Sequence, residues 1–142
     1  MPRVEASVEL VAAQADAWRF VAEPHHLADW WPGVAAAEPD RRGLVPGARW
    51  KLRYGSRPGL LRRPAAAGML LVREVREPEL LAWHLTADRL DVELVLVPAR
   101  PDRTRATLAV SAPWLVRLRR SLPRRALQRL HDLCQTAATL DD

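Results

Sequence analysis

The chain has 142 residues, a formal net charge of +5 and a single cysteine, Cys134. This length is that of one ordinary domain, and one cysteine excludes both an internal disulfide and a thiolate metal cluster. No signal-peptide pattern and no uninterrupted apolar stretch of about 18 residues is present. We therefore expect one cytoplasmic domain over residues 1–142, with no transmembrane segment.

The first part of the chain predicts one strand followed by two short helices. Apolar and polar residues alternate over Val4–Leu10, as in a strand with one buried face. The spacing then becomes helical over Gln14–Ala22, and Pro24 can open a second helix over His25–Trp31. Pro32-Gly33 ends this second helix.

The middle of the chain predicts strands separated by turns. The predicted strands are Val34–Glu38, Arg49–Tyr54, Met69–Arg76, Leu80–Thr86, Leu90–Val97 and Thr104–Ser111. The stretch 55–68 is rich in proline, glycine and arginine and has no periodicity, so we expect a long exposed loop there.

The last part of the chain predicts a long helix over Pro113–Leu140. Apolar residues, including Trp114 and Leu118, recur mostly every three or four positions beside a basic face. Pro123 conflicts with one continuous helix, because an internal proline removes a hydrogen bond and clashes with the preceding turn. We expect either a kink or a new helix start with Ser121 as its cap.

The order of these elements is that of the α+β helix-grip fold, a curved antiparallel sheet of about seven strands around a long C-terminal helix, with two short helices after strand 1. Three stretches also resemble a known family in amino-acid sequence: ADAWRFVAEP at 15–24, HLADWWPGV at 26–34 and REVREPELLAWHL at 73–85. The chain resembles the START-like (SRPBCC) superfamily, which includes the Bet v 1-like proteins, and within it the polyketide cyclase/dehydrase-like branch. Members bind lipids, hormones or polyketides, and many have no demonstrated reaction.

A sheet wrapped on a helix leaves a space that is the default ligand site. The candidate lining residues are Trp31, Trp50, Tyr54, Met69, Leu71, Arg73, Trp83, Leu85, Leu94, Leu96, Trp114 and Leu118. Ordinary core packing is the alternative for each aromatic residue. Arg73 would anchor an anionic ligand group if its strand face is concave. In the alternative, Leu70 and Val72 face inward and Arg73 is solvated.

The resemblance implies that the domain binds a small hydrophobic ligand, an apolar or aromatic metabolite that is lipid-like or polyketide-like. We identify no catalytic residue, no metal site and no cofactor. An enzyme of the cyclase or aromatase type is an alternative, and Tyr54, His84 or Arg73 would then have to supply its acid or base.

A partner-binding module is the second alternative. It would use the arginine-rich helix face and the stripe of Arg49, Lys51 and Arg53 against an acidic protein. Nucleic acid is not an expected partner, because the chain has no zinc-finger spacing, helix-turn-helix pattern or glycine-aromatic RNA motif. The sequence leaves a homodimer open.

Overall fold

A computed structural model describes residues 2–55, 67–115 and 118–140 of the chain. The strands are β1 (Arg3–Leu10), β2 (Val34–Glu38), β3 (Arg49–Tyr54), β4 (Ala67–Arg76), β5 (Leu80–Leu85), β6 (Leu90–Arg100) and β7 (Arg103–Ser111). The helices are α1 (Gln14–Ala22), α2 (Leu27–Trp30) and α3 (Leu122–Leu140), and a 3₁₀ turn, Pro24–His26, precedes α2. The predicted loop over 55–68 lies largely outside the described residues.

The seven strands form one antiparallel sheet in the order β1-β7-β6-β5-β4-β3-β2. Strands β3 to β7 follow one another as a meander, while β1 joins β7 at one edge and β2 joins β3 at the other. This arrangement confirms the predicted α+β helix-grip fold, with two short helices after the first strand and a long helix at the end.

The core lies between one face of the sheet and the helices. In β5, Leu81, Trp83 and Leu85 are buried and alternate with half-buried residues, as the two-residue period of a strand requires. Helix α3 buries Leu127 and Leu130 along one stripe. It packs on β1, β7 and α2, while α1 packs on β6 and β7. The helices therefore divide the inner face of the sheet between them.

Helix α3 begins later than predicted, so the prediction of a helix from Pro113 was wrong over its first part. The carbonyl of Ser121 accepts a hydrogen bond from the backbone N–H of Arg125 at 2.9 Å, and Leu122 is the first helical residue. Pro123 thus lies in the first turn, where a missing N–H removes no helical hydrogen bond. Of the two predicted alternatives, a kinked helix or a new helix start at Ser121, the structure shows the new start. Trp114 lies outside the helix and is 79% exposed.

Strand β4 contains a β-bulge, and the side chains before it follow the predicted alternative in which Leu70 and Val72 face inward. The register with β5 shifts between Val72, opposite Trp83, and Glu74, opposite Ala82, so that Arg73 is the extra residue. Leu70 and Val72 are buried, whereas the Arg73 side chain is 59% exposed. Met69, Leu71 and Arg73, which were candidates for the inner face, lie on the outer side of the sheet.

Candidate functional site

An apolar cavity lies between the inner face of β3, β4 and β5 and the cover formed by α1, α2 and the segment 39–48. Its lining residues are Val21, Leu27, Trp30, Leu44, Trp50, Leu70, Val72, Leu81 and Trp83. None of these nine side chains is ionisable. Helix α3 contributes no residue to this lining, although the sequence predicted a site between the sheet and the C-terminal helix.

The cavity is small in this conformation. Its volume is about 10 Å³, counted as the space in which the centre of a water-sized sphere fits. That is close to the minimum that one water molecule needs. A larger occupant therefore requires part of the cover to move outward.

Three tryptophans contact one another here, and two of them, Trp30 and Trp83, line the cavity. The ring centroids of Trp30 and Trp83 are 6.1 Å apart with an angle of 89° between the rings, and those of Trp31 and Trp83 are 5.9 Å apart at 72°. Trp30 and Trp31 also meet edge to face, at 5.7 Å. Edge-to-face contact brings the positive edge of one ring to the negative face of another, which favours this arrangement. Through the contacts of Trp30 and Trp31 with Trp83, α2 packs on β5.

Two polar groups of the cavity lining have no hydrogen-bond partner within the described ranges. These groups are the indole N–H of Trp30 and the indole N–H of Trp83, and both are buried. Buried indole N–H groups normally find an acceptor, because an unmade hydrogen bond costs about 1–3 kcal/mol. Trp50, on the same wall, does donate its indole N–H to the carbonyl of Gly43 at 2.8 Å. Trp30 and Trp83 thus each have an unpaired indole N–H within the described ranges, and no lining side chain carries a charge.

The segment 39–48 closes one side of the cavity through Leu44. Hydrogen bonds hold its two ends: the carboxylate of Asp40 accepts from the backbone N–H groups of Arg42 and Arg49 at 3.0 Å, and Gly47 N–H donates to the carbonyl of Val72 at 2.8 Å. These N–H donors and the nearby Arg42 charge lower the pKa of Asp40. Between these ends, Leu44 is half-buried against the core.

The predicted site residues fall into three groups. Trp50 and Trp83 line the cavity, and Trp31 contacts Trp83 beside it. Leu85, Leu94 and Leu96 are buried elsewhere in the core, and Leu118 and Tyr54 are half-buried against it. Met69, Leu71 and Arg73 lie on the outer face, and Trp114 lies on the surface.

Seven of the nine lining residues were not among the site residues predicted from the sequence. Leu27 and Trp30 are three residues apart in the second predicted helix, so the helical period places both on one apolar face and was a signal for them. Leu44 carried no such signal, because it stands alone between turn residues.

Tyr54 packs over a glycine beside the cavity strands. A Cβ on Gly68 would lie 3.0 Å from Cε2 of Tyr54 and 2.9 Å from Cβ of Ala87, so the tyrosine ring fills the space that the glycine leaves. Burial and, secondarily, the carboxylate of Asp88 raise the pKa of Tyr54. The hydroxyl is buried and makes no hydrogen bond of standard geometry within the described part of the chain.

A polar cluster of His84, Asp91 and Arg73 lies on the outer face of the sheet. His84 Nδ1 is 2.9 Å from Asp91 Oδ1, and Arg73 Nε is 3.7 Å from the same oxygen. His84 therefore points away from the cavity, because it is adjacent to the inward-facing Trp83 in β5 and successive side chains of a strand face opposite sides. This cluster spans β4, β5 and β6 on the outer face, so its side chains do not reach the cavity at Trp83.

The described ranges contain neither a metal-ligand cluster nor a membrane-spanning helix. No three side chains of histidine, cysteine, aspartate or glutamate lie together as metal ligands there. No helix in these ranges is long and apolar enough to cross a membrane.

The antiparallel sheet, its helical cover and the apolar cavity between them define an α+β protein of the helix-grip class. Residues 1–135 match the family model described as polyketide cyclase / dehydrase and lipid transport, and the chain belongs to this family. No curated protein matches the chain in sequence.

Solved structures share the fold at low sequence identity. A protein from Nitrosomonas europaea has a TM-score of 0.69 at 16% identity, covering 96% of each chain. The protein XoxI from Bacillus cereus has a TM-score of 0.71 at 10% identity, covering 97% of this chain and 99% of its own. The Aha1 dimer from Colwellia psychrerythraea has a TM-score of 0.66 at 12% identity, covering 94% of this chain and 96% of its own.

Proposed function

We propose that this protein is a cytoplasmic binding protein for a small apolar or aromatic molecule, lipid-like or polyketide-like, that carries a hydrogen-bond acceptor. The observation that carries the proposal is the apolar cavity whose only free polar groups, within the described residues, are the indole N–H groups of Trp30 and Trp83. A carbonyl, hydroxyl or carboxylate oxygen of a ligand would satisfy these donors, while its apolar body would replace contacts with leucine and valine.

Binding requires the cavity to expand, and the cover supplies a segment that can move. Pockets for drug-sized ligands enclose about 300–1,000 Å³, far more than the present cavity. The tip of the segment 39–48 lies between Gly43 and Gly47, both at positive φ, where glycine is free of the strain that other residues meet. Outward movement of Leu44 between these glycines would open the cavity without breaking the sheet.

The composition of the lining favours binding over catalysis. Cyclisation or dehydration needs an acid or base in contact with the substrate, and none of the nine lining residues can supply one. Of the three candidates for that role, Arg73 and His84 lie on the outer face and Tyr54 is not part of the lining.

The test compares two tryptophan substitutions at neighbouring positions. Leu44→Trp would fill the cavity, whereas Val45→Trp adds the same side chain at a position that is 44% exposed and outside the lining. Native mass spectrometry of freshly purified protein should show a bound species for wild type and Val45→Trp that denaturation removes. Leu44→Trp should show none.

If no molecule copurifies, the probes are palmitate and 1,8-dihydroxyanthraquinone, titrated into all three proteins. Binding of either probe that Leu44→Trp weakens by more than tenfold, and Val45→Trp does not, supports the proposal. Equal binding by the two variants, or no binding of either probe by wild type at 100 times the protein concentration, would overturn it.

A homodimer remains a prediction that accompanies this proposal. The Colwellia psychrerythraea structure of the same fold is described as a dimer. Sedimentation velocity at several protein concentrations would decide the oligomeric state of this chain.

A further inference from the structure

The segment before α3 presents two large apolar side chains to solvent. Trp114 is 79% exposed and Leu115 is 99% exposed. The other five tryptophans of the chain are each at most 5% exposed. Single apolar residues on a surface are ordinary, but an adjacent tryptophan and leucine that are both largely exposed leave most of two core-sized side chains in water. Such a pair is typical of a surface that meets an apolar phase.

A run of arginines follows this pair. The described members, all exposed, are Arg119, Arg120, Arg124, Arg125 and Arg129. No acidic residue occurs in the sequence between positions 112 and 131. Within the part of the chain that the structure describes, none of the five arginines lies within 4.0 Å of a carboxylate oxygen. Their charges are therefore available to an anionic partner.

The positions of two of these arginines oppose the stability of the helix. Arg124 and Arg125 lie in the first turn of α3, which contains no acidic residue. The amino end of a helix carries partial positive charge, so that acidic residues are favoured there and basic ones are not. A binding role for the positive charge accounts for this arrangement, whereas folding alone does not.

The apolar pair and the arginines are close enough to act together. Four peptide steps separate Leu115 from Arg119, which limits the distance between their Cα atoms to about 14 Å. Along α3, Arg125 and Arg129 are four residues apart, so they lie on one face of the helix with about 6 Å of rise between them. One partner surface of modest size can thus contact both the apolar and the charged groups.

We propose that Trp114, Leu115 and the five arginines form a docking surface for membranes that contain anionic lipids. Tryptophan prefers the boundary between lipid headgroups and acyl chains, and leucine prefers the acyl chains themselves. Arginine side chains near an anionic bilayer are attracted to its negative surface potential. An anionic membrane provides both environments at once. We call these seven residues the docking surface.

The first measurement is binding to sucrose-loaded vesicles by co-sedimentation at low salt. Phosphatidylcholine vesicles with 30% phosphatidylglycerol should sediment the protein, and vesicles of phosphatidylcholine alone should bind at least tenfold less. Raising the salt concentration to 0.5 M should release the protein, because screening shortens the reach of surface charge to a few ångströms.

Charge-matched variants show whether the location of the charge matters. Replacing Arg124, Arg125 and Arg129 with glutamine should weaken vesicle binding by about 100-fold, at about fivefold for each arginine. The control replaces the exposed Arg49, Lys51 and Arg53 of β3 with glutamine, which removes the same charge elsewhere. Equal losses in both variants would overturn the docking surface, since binding would then follow net charge alone.

The apolar pair has its own control and its own signal. Replacing Trp114 and Leu115 with serine should weaken vesicle binding at least tenfold, whereas Leu140→Ser, at a residue that is 80% exposed, should leave it unchanged. Since the other tryptophans are buried, brominated phosphatidylcholine in the vesicles should quench mainly the Trp114 emission. Absence of this quenching in bound protein would overturn the insertion of Trp114.

Two further outcomes would replace the membrane by another partner. A dimer that the Trp114 and Leu115 double substitution dissociates, in protein that ignores anionic vesicles, would assign the surface to a second copy of the chain. Tighter binding to a 20-nucleotide single-stranded DNA than to anionic vesicles, lost in the same substitution, would assign it to nucleic acid.

Discussion

Trp30 and Trp83 meet edge to face with their ring centroids 6.1 Å apart, and neither indole N–H has a hydrogen-bond partner within the described ranges. Trp50, on the same cavity wall, donates its indole N–H to Gly43. One wall therefore contains both satisfied and unsatisfied indole groups of similar burial. This contrast allows the free donors to be tested by substitution.

Trp83→Phe and Trp50→Phe remove similar volumes from the cavity wall, but only the second breaks a hydrogen bond in the structure. We expect both to lower the free energy of unfolding, with Trp83→Phe costing about 1 kcal/mol less than Trp50→Phe. Urea unfolding at pH 7 measures both. Equal costs would mean that the Trp83 N–H has a partner, such as a buried water molecule.

The orientation of most core residues could be predicted from the sequence because strands have a fixed two-residue period. Trp50 and Trp83 were placed correctly on this basis, each flanked by polar or half-buried neighbours. In β4, apolar residues occupy both phases of the strand, so the sequence left open which face Arg73 occupies. The bulge at Arg73 changes the phase only of the residues after it, such as Val75 opposite Leu81, while Met69 and Leu71 before it lie on the outer face.

Two other errors have different physical causes. Trp114 fits the helical spacing of α3, but Pro123 favours a first-turn position and Ser121 starts the helix. The helical spacing of the apolar residues before Ser121, including Trp114, was therefore coincidental. Leu44 reaches the cavity because hydrogen bonds of Asp40 and Gly47 shape its segment, and such long-range contacts are not encoded in local periodicity.

Gly68→Ala should destabilise the protein, whereas Gly55→Ala should not. A Cβ at Gly68 would lie 2.9 Å from Ala87 Cβ and 3.0 Å from the Tyr54 ring, while one at Gly55 would meet only a carbonyl oxygen at 4.0 Å. We expect a loss of about 1–3 kcal/mol at Gly68 from overpacking. At Gly55 we expect no loss, or a gain of up to about 1 kcal/mol from a less flexible unfolded chain.

Thermal and urea unfolding of the two glycine variants provide the comparison. Combining Gly68→Ala with Tyr54→Leu should cost less than the sum of the two single changes, because the smaller side chain frees the space. Strict additivity would contradict the contact between Tyr54 and residue 68.

Thr104 holds the turn before α1, which covers the cavity. Its hydroxyl donates to the carbonyl of Ala12 at 2.8 Å, and the residue is fully buried. Thr104→Val keeps the shape but leaves that carbonyl without its donor, so we expect a loss of about 1–3 kcal/mol in unfolding free energy. Thr107→Val is the control, because its hydroxyl bonds with Ser7 in an exposed pair. If Thr107→Val lowers the unfolding free energy as much as Thr104→Val does, the cost comes from replacing a threonine in β7 and not from losing the hydrogen bond to Ala12.

The stability of the protein should fall at alkaline pH through Tyr54, the only tyrosine in the chain. Burial raises the pKa of Tyr54 above its usual value of 10, and Asp88 adds to this effect. The folded protein thus retains the phenol proton at a pH where the unfolded chain has lost it. The resulting stabilisation is complete below about pH 10 and is lost progressively as the pH rises above that value.

Absorbance at 295 nm follows the ionisation of this single tyrosine directly. In folded protein the midpoint should lie above pH 10, and in 8 M urea it should return to about 10. Tyr54→Phe should show a smaller loss of unfolding free energy between pH 9 and 11 than wild type. Burial also raises the pKa of the Cys134 thiol, which contributes a loss of the same sign as pH rises through the ordinary thiol range. Both proteins should therefore be compared in a Cys134→Ala background, where an unchanged alkaline slope after Tyr54→Phe would contradict the assignment to Tyr54.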